Sequence, residues 1–333
     1  MDSLTQIVLG AAVGNAVLGK KIGNKALLYG AIAGTIPDLD VIFGKFTDTI
    51  TAIEWHRGFS HSILFCFLMS PIFGWLVNKL EKKLNLGWQS WAKLFFWGLF
   101  THPLLDAFTT WGTQLFWPFD FNVAFNTIFV IDPLYTVPFL VFTILSMCYG
   151  RNSKKRRRFN NLGLIISSAY LVCTVVIKCI VTHKFEAALK DQNNTYSQIS
   201  TRPSPMNIIL WNANIETKNS YLISDYSFFD TKPITFVKHL KNRKVSTEII
   251  KYPNVQRLIN ISEGWYILEQ KNNAWYFNDL RFGLLPKKNN ESVFVFSYIL
   301  KEVEGKIKAT EVPKSKRDAA FLLSNLWQRI KGK

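Results

Sequence analysis

Leu162-Gly-Leu-Ile-Ile-Ser-Ser-Ala-Tyr-Leu-Val-Cys-Thr-Val-Val-Ile-Lys-Cys-Ile-Val181 is the stretch that decides the fold class. A helix needs about 20 mostly apolar residues to cross a bilayer. This stretch has that length and carries a single charge, Lys178, near its end. Towards the amino terminus, 128–149, 91–108 and 63–77 also read as spans. Ahead of them, 7–18 and 26–36 are shorter apolar runs that read as a tight helical hairpin, residues 7–36. Gly10-Ala-Ala-Val-Gly14 and Gly30-Ala-Ile-Ala-Gly34 give both arms a small-residue ridge. That spacing lets two helix backbones approach closely.

Beyond His183 the pattern changes. Residues 206–211, 264–270, 274–280 and 292–300 are rich in Ile, Val, Tyr, Phe and Trp, as strands are. Polar breaks at 271–273 and 287–290 read as hairpin turns. Apolar residues recur at helical spacing over 315–330. The expectation is an α-helical integral membrane domain over 1–183, followed by a smaller, mostly β soluble domain over 184–333 with a closing helix. A mean hydropathy of only +0.08 fits an average over an oily half and a polar half.

The net charge of +17 would suggest nucleic acid on a soluble protein. Here the cations flank apolar segments and no nucleic-acid recognition motif is present, so no nucleic-acid partner is expected. Lys20, Lys21 and Lys25, then Lys79, Lys82 and Lys83, then Arg151 and Lys154 to Arg158 form three basic clusters. Placing them in the cytoplasm puts residues 37–61, residues 101–132 and the carboxy-terminal half on the outer side. Asp2 stands where a secretory signal would be basic, so the first run is not read as a leader. Cys66, Cys148, Cys173 and Cys179 lie in apolar segments and read as buried free thiols.

Three of the five histidines sit beside carboxylates in the apolar half. Pro37-Asp38-Leu39-Asp40 closes an apolar run. In an extended turn alternate side chains share a face, so Asp38 and Asp40 would reach one ion. Glu54-Trp55-His56-Arg57-Gly58-Phe59-Ser60-His61-Ser62 pairs His56 with His61 around a Gly58 bend. Arg57 is placed to hold an anion such as phosphate, and Ser60 or Ser62 to cap the next helix. His102 and Asp106 are four apart, hence on one helix face. Asp2, Asp120 and Asp132 are further carboxylates on the same side, with turn or capping roles as the simpler reading. Histidine and aspartate without cysteine suit Zn²⁺, with Mn²⁺ or Mg²⁺ as alternatives, as one ion or two.

Met1-Asp2-Ser3-Leu4-Thr5-Gln6, the Pro-Asp-Leu-Asp of 37–40, the His-Arg-Gly-Phe-Ser-His-Ser of 56–62 and the Thr-His-Pro-Leu-Leu-Asp of 101–106 together resemble the YdjM-like family. That family is described as inner-membrane, LexA-regulated, metal-dependent hydrolases, similar at a distance to zinc-dependent phospholipase C. The resemblance covers residues 1–180. In the tail it is similar in outline only, including Asn278-Asp279-Leu280-Arg281-Phe282-Gly283. Many relatives carry a histidine where this chain has Gln6. The resemblance implies a bacterial inner-membrane location and marks Asp38, Asp40, His56, His61, His102 and Asp106 as metal-site residues.

The expected function is metal-dependent hydrolysis of a phosphoester or lipid at the outer membrane face. Arg57 would hold the anion, and Glu54 or a spare carboxylate such as Asp120 would move protons. A metal-ion carrier or sensor, and a structural membrane protein with a stabilising metal, are the competing readings. A carrier predicts polar residues along the later spans, which carry few.

Overall fold

Asp2 starts the first helix, α1 (Ser3–Ile22), with its carboxylate accepting from the Thr5 amide at 3.1 Å. Gly23, at φ 63°, turns the chain into α2 (Asn24–Thr35). The two glycine ridges interlock as the spacing predicts. A Cβ on Gly34 would lie 2.6 Å from the Gln6 carbonyl oxygen and 3.1 Å from the Gly10 Cα. The arms are longer than their apolar runs indicate. Pro37 does not end the second arm, because it sits at the start of a 3-10 turn (Ile36–Leu39), where its missing N–H is no loss. The chain continues into α3 (Asp40–Gly44), so Asn24–Gly44 has the length and composition of a span. The computed structural model describes residues 1–243, 247–272, 274–287, 292–303, 305–313 and 318–333.

After α4 (Thr49–Trp55), a 3-10 turn (Phe59–His61) leads into α5 (Ile63–Leu80). Of the two candidate caps, Ser62 takes the role and accepts from the Phe65 amide at 3.0 Å. Next come α6 (Trp88–Asp106), α7 (Pro133–Met147) and α8 (Lys154–Asp191). The segment expected over 128–149 becomes helical only at Pro133, because Asp132 caps it, accepting from Leu134 and Tyr135 amides at 2.9 and 3.3 Å. Among the described residues Asn24–Gly44, Ile63–Leu80 and Lys154–Asp191 are long and apolar enough to cross a membrane, and Pro133–Met147 is apolar but shorter.

The chain divides into two compact units. One holds Met1–Phe46 and Trp55–Val176, and the other holds Thr47–Glu54 and Ile177–Ser204 with Ile208–Lys333. α8 runs unbroken past His183, so the change of unit falls inside a helix. In the helical unit, Trp91, Leu94, Phe95 and Leu99 of α6 are buried with Ala26 and Ala33 of α2. Val141, Ile144, Ile165 and Val172 on α7 and α8 are exposed apolar side chains, as a lipid-facing surface requires. The cysteines are free, but only Cys66 is buried; Cys148, Cys173 and Cys179 lie on these outward faces.

The second unit is mostly β. β1 (Gln198–Pro203), β2 (Leu210–Glu216), β3 (Ser220–Ser227) and β4 (Val237–Leu240) form one antiparallel sheet in sequence order. After α9 (Thr247–Ile250) and α10 (Pro253–Ile261), β5 (Tyr266–Lys271), β6 (Ala274–Pro286), β7 (Ser292–Val303) and β8 (Lys306–Glu311) form a second. Tyr221 and Ile223 of the first sheet are buried with Trp265, Ile267 and Leu280 of the second. The closing helix, α11, is described over Ala319–Ile330. Its expected start at 315–317, and parts of the turns expected at 271–273 and 287–290, lie outside the described residues.

Candidate metal centre

Four side chains converge inside the helical unit. Asp38 comes from the 3-10 turn after α2, His61 from the turn before α5, and His102 and Asp106 from one face of α6. One ligand atom from each lies within 4.8 Å of all the others. The two Nε2 atoms of His61 and His102 face each other at 3.1 Å. Asp38 Oδ1 is 3.4 Å from His61 Nε2 and 3.3 Å from His102 Nε2. Asp106 Oδ2 lies 3.7 and 3.8 Å from the same two nitrogens. His61, His102 and Asp106 are buried, while the Asp38 side chain is 24% exposed.

The protons of both rings are fixed by their outer partners. His102 Nδ1 donates to the Gly34 carbonyl at 2.6 Å, and a carbonyl can only accept. His61 Nδ1 donates to Ser60 Oγ at 3.0 Å, whose hydroxyl is itself committed to Asp40 Oδ2 at 2.8 Å. With both rings neutral, their Nε2 atoms present lone pairs to one another, and a proton on His61 makes its Nε2 a donor to His102 instead. Asp106 Oδ2 is buried without a hydrogen-bond partner. Two imidazole nitrogens and a carboxylate oxygen that is ion-paired to Arg57 but not hydrogen-bonded, gathered in one buried space, are a donor set that suits a cation.

Asp106 is held from behind. Its Oδ1 accepts from Gln6 Nε2 at 2.9 Å and from the Met1 amino group. Arg57 Nε stands 3.3 Å from Oδ2, and Arg57 Nη1 donates to Thr109 Oγ1 and the Gly112 carbonyl at 3.0 and 3.2 Å. Arg57 is buried and has φ 66°, a left-handed conformation costly for a long side chain.

The six expected ligands thus separate into two layers. Asp38, His61, His102 and Asp106 form the cluster. Asp40 and His56 lie one layer out, with His56 Nδ1 at 2.9 Å from Asp40 Oδ1. The reason is local geometry. The chain at 36–44 is helical, not an extended turn, so side chains two apart point to different sides. Asp40 instead serves the cluster through His61, and also accepts from the Arg57 amide at 3.1 Å. Burial disfavours a charged His61, yet Asp38 and Asp40 outweigh it and hold its pKa above the ordinary histidine value.

The other carboxylates lie elsewhere. Glu54 puts both oxygens on Arg257, at 2.9 and 2.6 Å. Asp120 is exposed and outside the cluster. Asp2 and Asp132 cap α1 and α7, and Asp132 also accepts from Tyr170 Oη at 2.8 Å. Gln6, Ser60 and the Gly34 carbonyl are site groups that the histidine and aspartate pattern does not reveal. Gln6 leaves one trace, an amide within an apolar helix.

Residues 1–181 match the family described as YdjM inner membrane protein. A stretch of 114 residues is 30% identical to Inner membrane protein YbcI of Escherichia coli (strain K12), taking in 34% of this chain. The chain spans 64% of that relative's length. No solved structure matches.

Proposed function

The chain belongs to the YdjM inner membrane protein family, and we propose that it holds a divalent cation at Asp38, His61, His102 and Asp106 and hydrolyses a phosphoester beside the membrane. The supporting observation is the 3.1 Å approach of two imidazole nitrogens whose hydrogens are both used elsewhere. Between two neutral rings that approach is repulsive, and a positive charge, either a metal ion or a proton on His61, relieves it. Tetrahedral zinc, with nitrogens about 2.0–2.1 Å away, sets two of them roughly 3.3 Å apart. Two imidazoles and two carboxylates suit Zn²⁺, fit Mn²⁺, and match the oxygen preference of Mg²⁺ less well. When bound, such a cation polarises a phosphoester oxygen and lowers the pKa of water.

The chain's own groups supply position. Gly34 and the Ser60–Asp40 pair orient the two rings, while Gln6 and Arg57 hold Asp106. Asp38, the ligand with open surface, marks the side from which water and substrate enter. Arg57 sits behind Asp106, which makes it a holder of that carboxylate before it is a holder of substrate. His56, a third exposed and tied to Asp40, is placed to pass a proton to solvent. With the basic clusters in the cytoplasm, this chemistry faces the outer side, where membrane lipid is the nearest phosphate-bearing substrate.

A stabilising structural cation is the second reading, favoured by the burial of three of the four ligands. A hydrolysis assay separates the two. Detergent-purified protein is presented with phosphomonoester, phosphodiester and phospholipid substrates, with chelator and with zinc restored. Turnover that chelator abolishes, zinc restores and Asp38→Asn removes is expected. Zinc-loaded protein inert on every substrate would leave the structural reading.

A further inference from the structure

Between Asp40 and His56 the chain departs from the helical unit. Thr47–Glu54 packs with the β-rich unit, and Trp55 belongs to the helical unit again. This excursion is well anchored. Asp48 caps it, accepting from the Ile50 and Thr51 amides at 3.0 and 3.2 Å. Ile50 is 1% exposed, in a core with Val255, Leu258, Leu268 and Phe277. Glu54 then meets Arg257 of α10 through both carboxylate oxygens, and the same guanidinium reaches Thr51 Oγ1 at 2.9 Å. Such a forked pair fixes direction as well as distance.

Chain connectivity carries the consequence. Each residue spans at most about 3.6 Å, so His56 is tethered within about 7 Å of the Glu54 backbone. A shift of Glu54 must be absorbed by Trp55, His56 and Arg57. Arg57 is already in a left-handed conformation and gives its amide to Asp40. The next links are Asp40 to Ser60 and Ser60 to His61. An exposed ion pair with no such neighbour would have only a local effect.

We propose that α4 is a strap. Its Glu54–Arg257 clamp positions the loop carrying His56 and Arg57, and through Asp40 it sets the aim of the His61 ring. Glu54 and Arg257 are positioning residues, linked to His56 by two residues of chain. The functional meaning rests on the proposed metal site; the mechanics do not.

Amide hydrogen exchange on the full-length protein in detergent, with and without zinc, tests the strap. The variants are Arg257→Ala, the milder Glu54→Gln, and the charge swap Glu54→Arg with Arg257→Glu. Both single variants are expected to speed exchange over residues 55–61 about fivefold, with β5–β8 unchanged. The swap is expected to restore most of the protection, and zinc affinity to follow the same order. Unchanged exchange over 55–61 in both single variants, or a swap no better than Arg257→Ala, would overturn the proposal. Should Arg257→Ala loosen β5–β8 as well, Glu54→Gln and the swap decide alone. A wild-type chain that takes up no zinc while exchange still responds would refute the metal reading and leave the strap standing. Zinc uptake with unresponsive exchange would do the reverse.

Discussion

His61 is the residue on which proton and metal compete. Asp38 and Asp40 raise its pKa, so the metal-free ring holds a proton at pH values where an ordinary histidine has lost it. A cation needs the neutral ring, so each bound ion must displace that proton. Zinc affinity is therefore highest above the raised pKa and falls about tenfold for each pH unit below it. A titration of bound zinc from about pH 8 to about pH 5 checks this; an affinity flat across the range would argue against His61 as a ligand. Histidines beside aspartates pointed to this site from the sequence, because few other roles account for such groups in an apolar half. The division into layers was not legible. Whether Asp38 and Asp40 share a face depends on helical or extended geometry at 36–44, and Pro37 is compatible with both. The Gly34 carbonyl leaves no mark at all, since every residue has one.

At the scale of elements, the site depends on how closely α1 and α2 approach. Gly34 gives its carbonyl to His102, and its missing side chain makes room for the Gln6 carbonyl. Gly34→Ala would place a methyl group 2.6 Å from that oxygen, against backbone that cannot turn aside. Overpacking of this kind costs about 1–3 kcal/mol. A lower unfolding temperature in detergent, together with weaker zinc binding, is expected. A variant that melts and binds zinc like the parent would mean that the helices have slack. The ridges, the Ser62 cap and the apolar helices were readable, since spacing and hydropathy report them directly. The extent of the second arm was not. The apolar run stops at Pro37, but helical turns go on to Gly44.

For the molecule as a whole, composition announced an oily helical half and a strand-rich half. It could not announce that Thr47–Glu54, lying between two site residues, joins the second unit. Eight residues carry too little pattern to say which distant core takes them, and Ile50, with Ile53 packed beside it, supplies the anchor. Nor could it show that Glu54, beside His56 in sequence, turns away to Arg257. The most direct test of the centre uses the full chain purified in detergent. Metal content is measured by mass spectrometry beside the double variant His61→Ala/His102→Ala, after both have been offered zinc and dialysed. Zinc in whole-number stoichiometry in the parent, absent from a variant that still inserts in the membrane, is the predicted result. Equal metal in both, or none in the parent, would contradict the assignment of Asp38, His61, His102 and Asp106 as a metal centre.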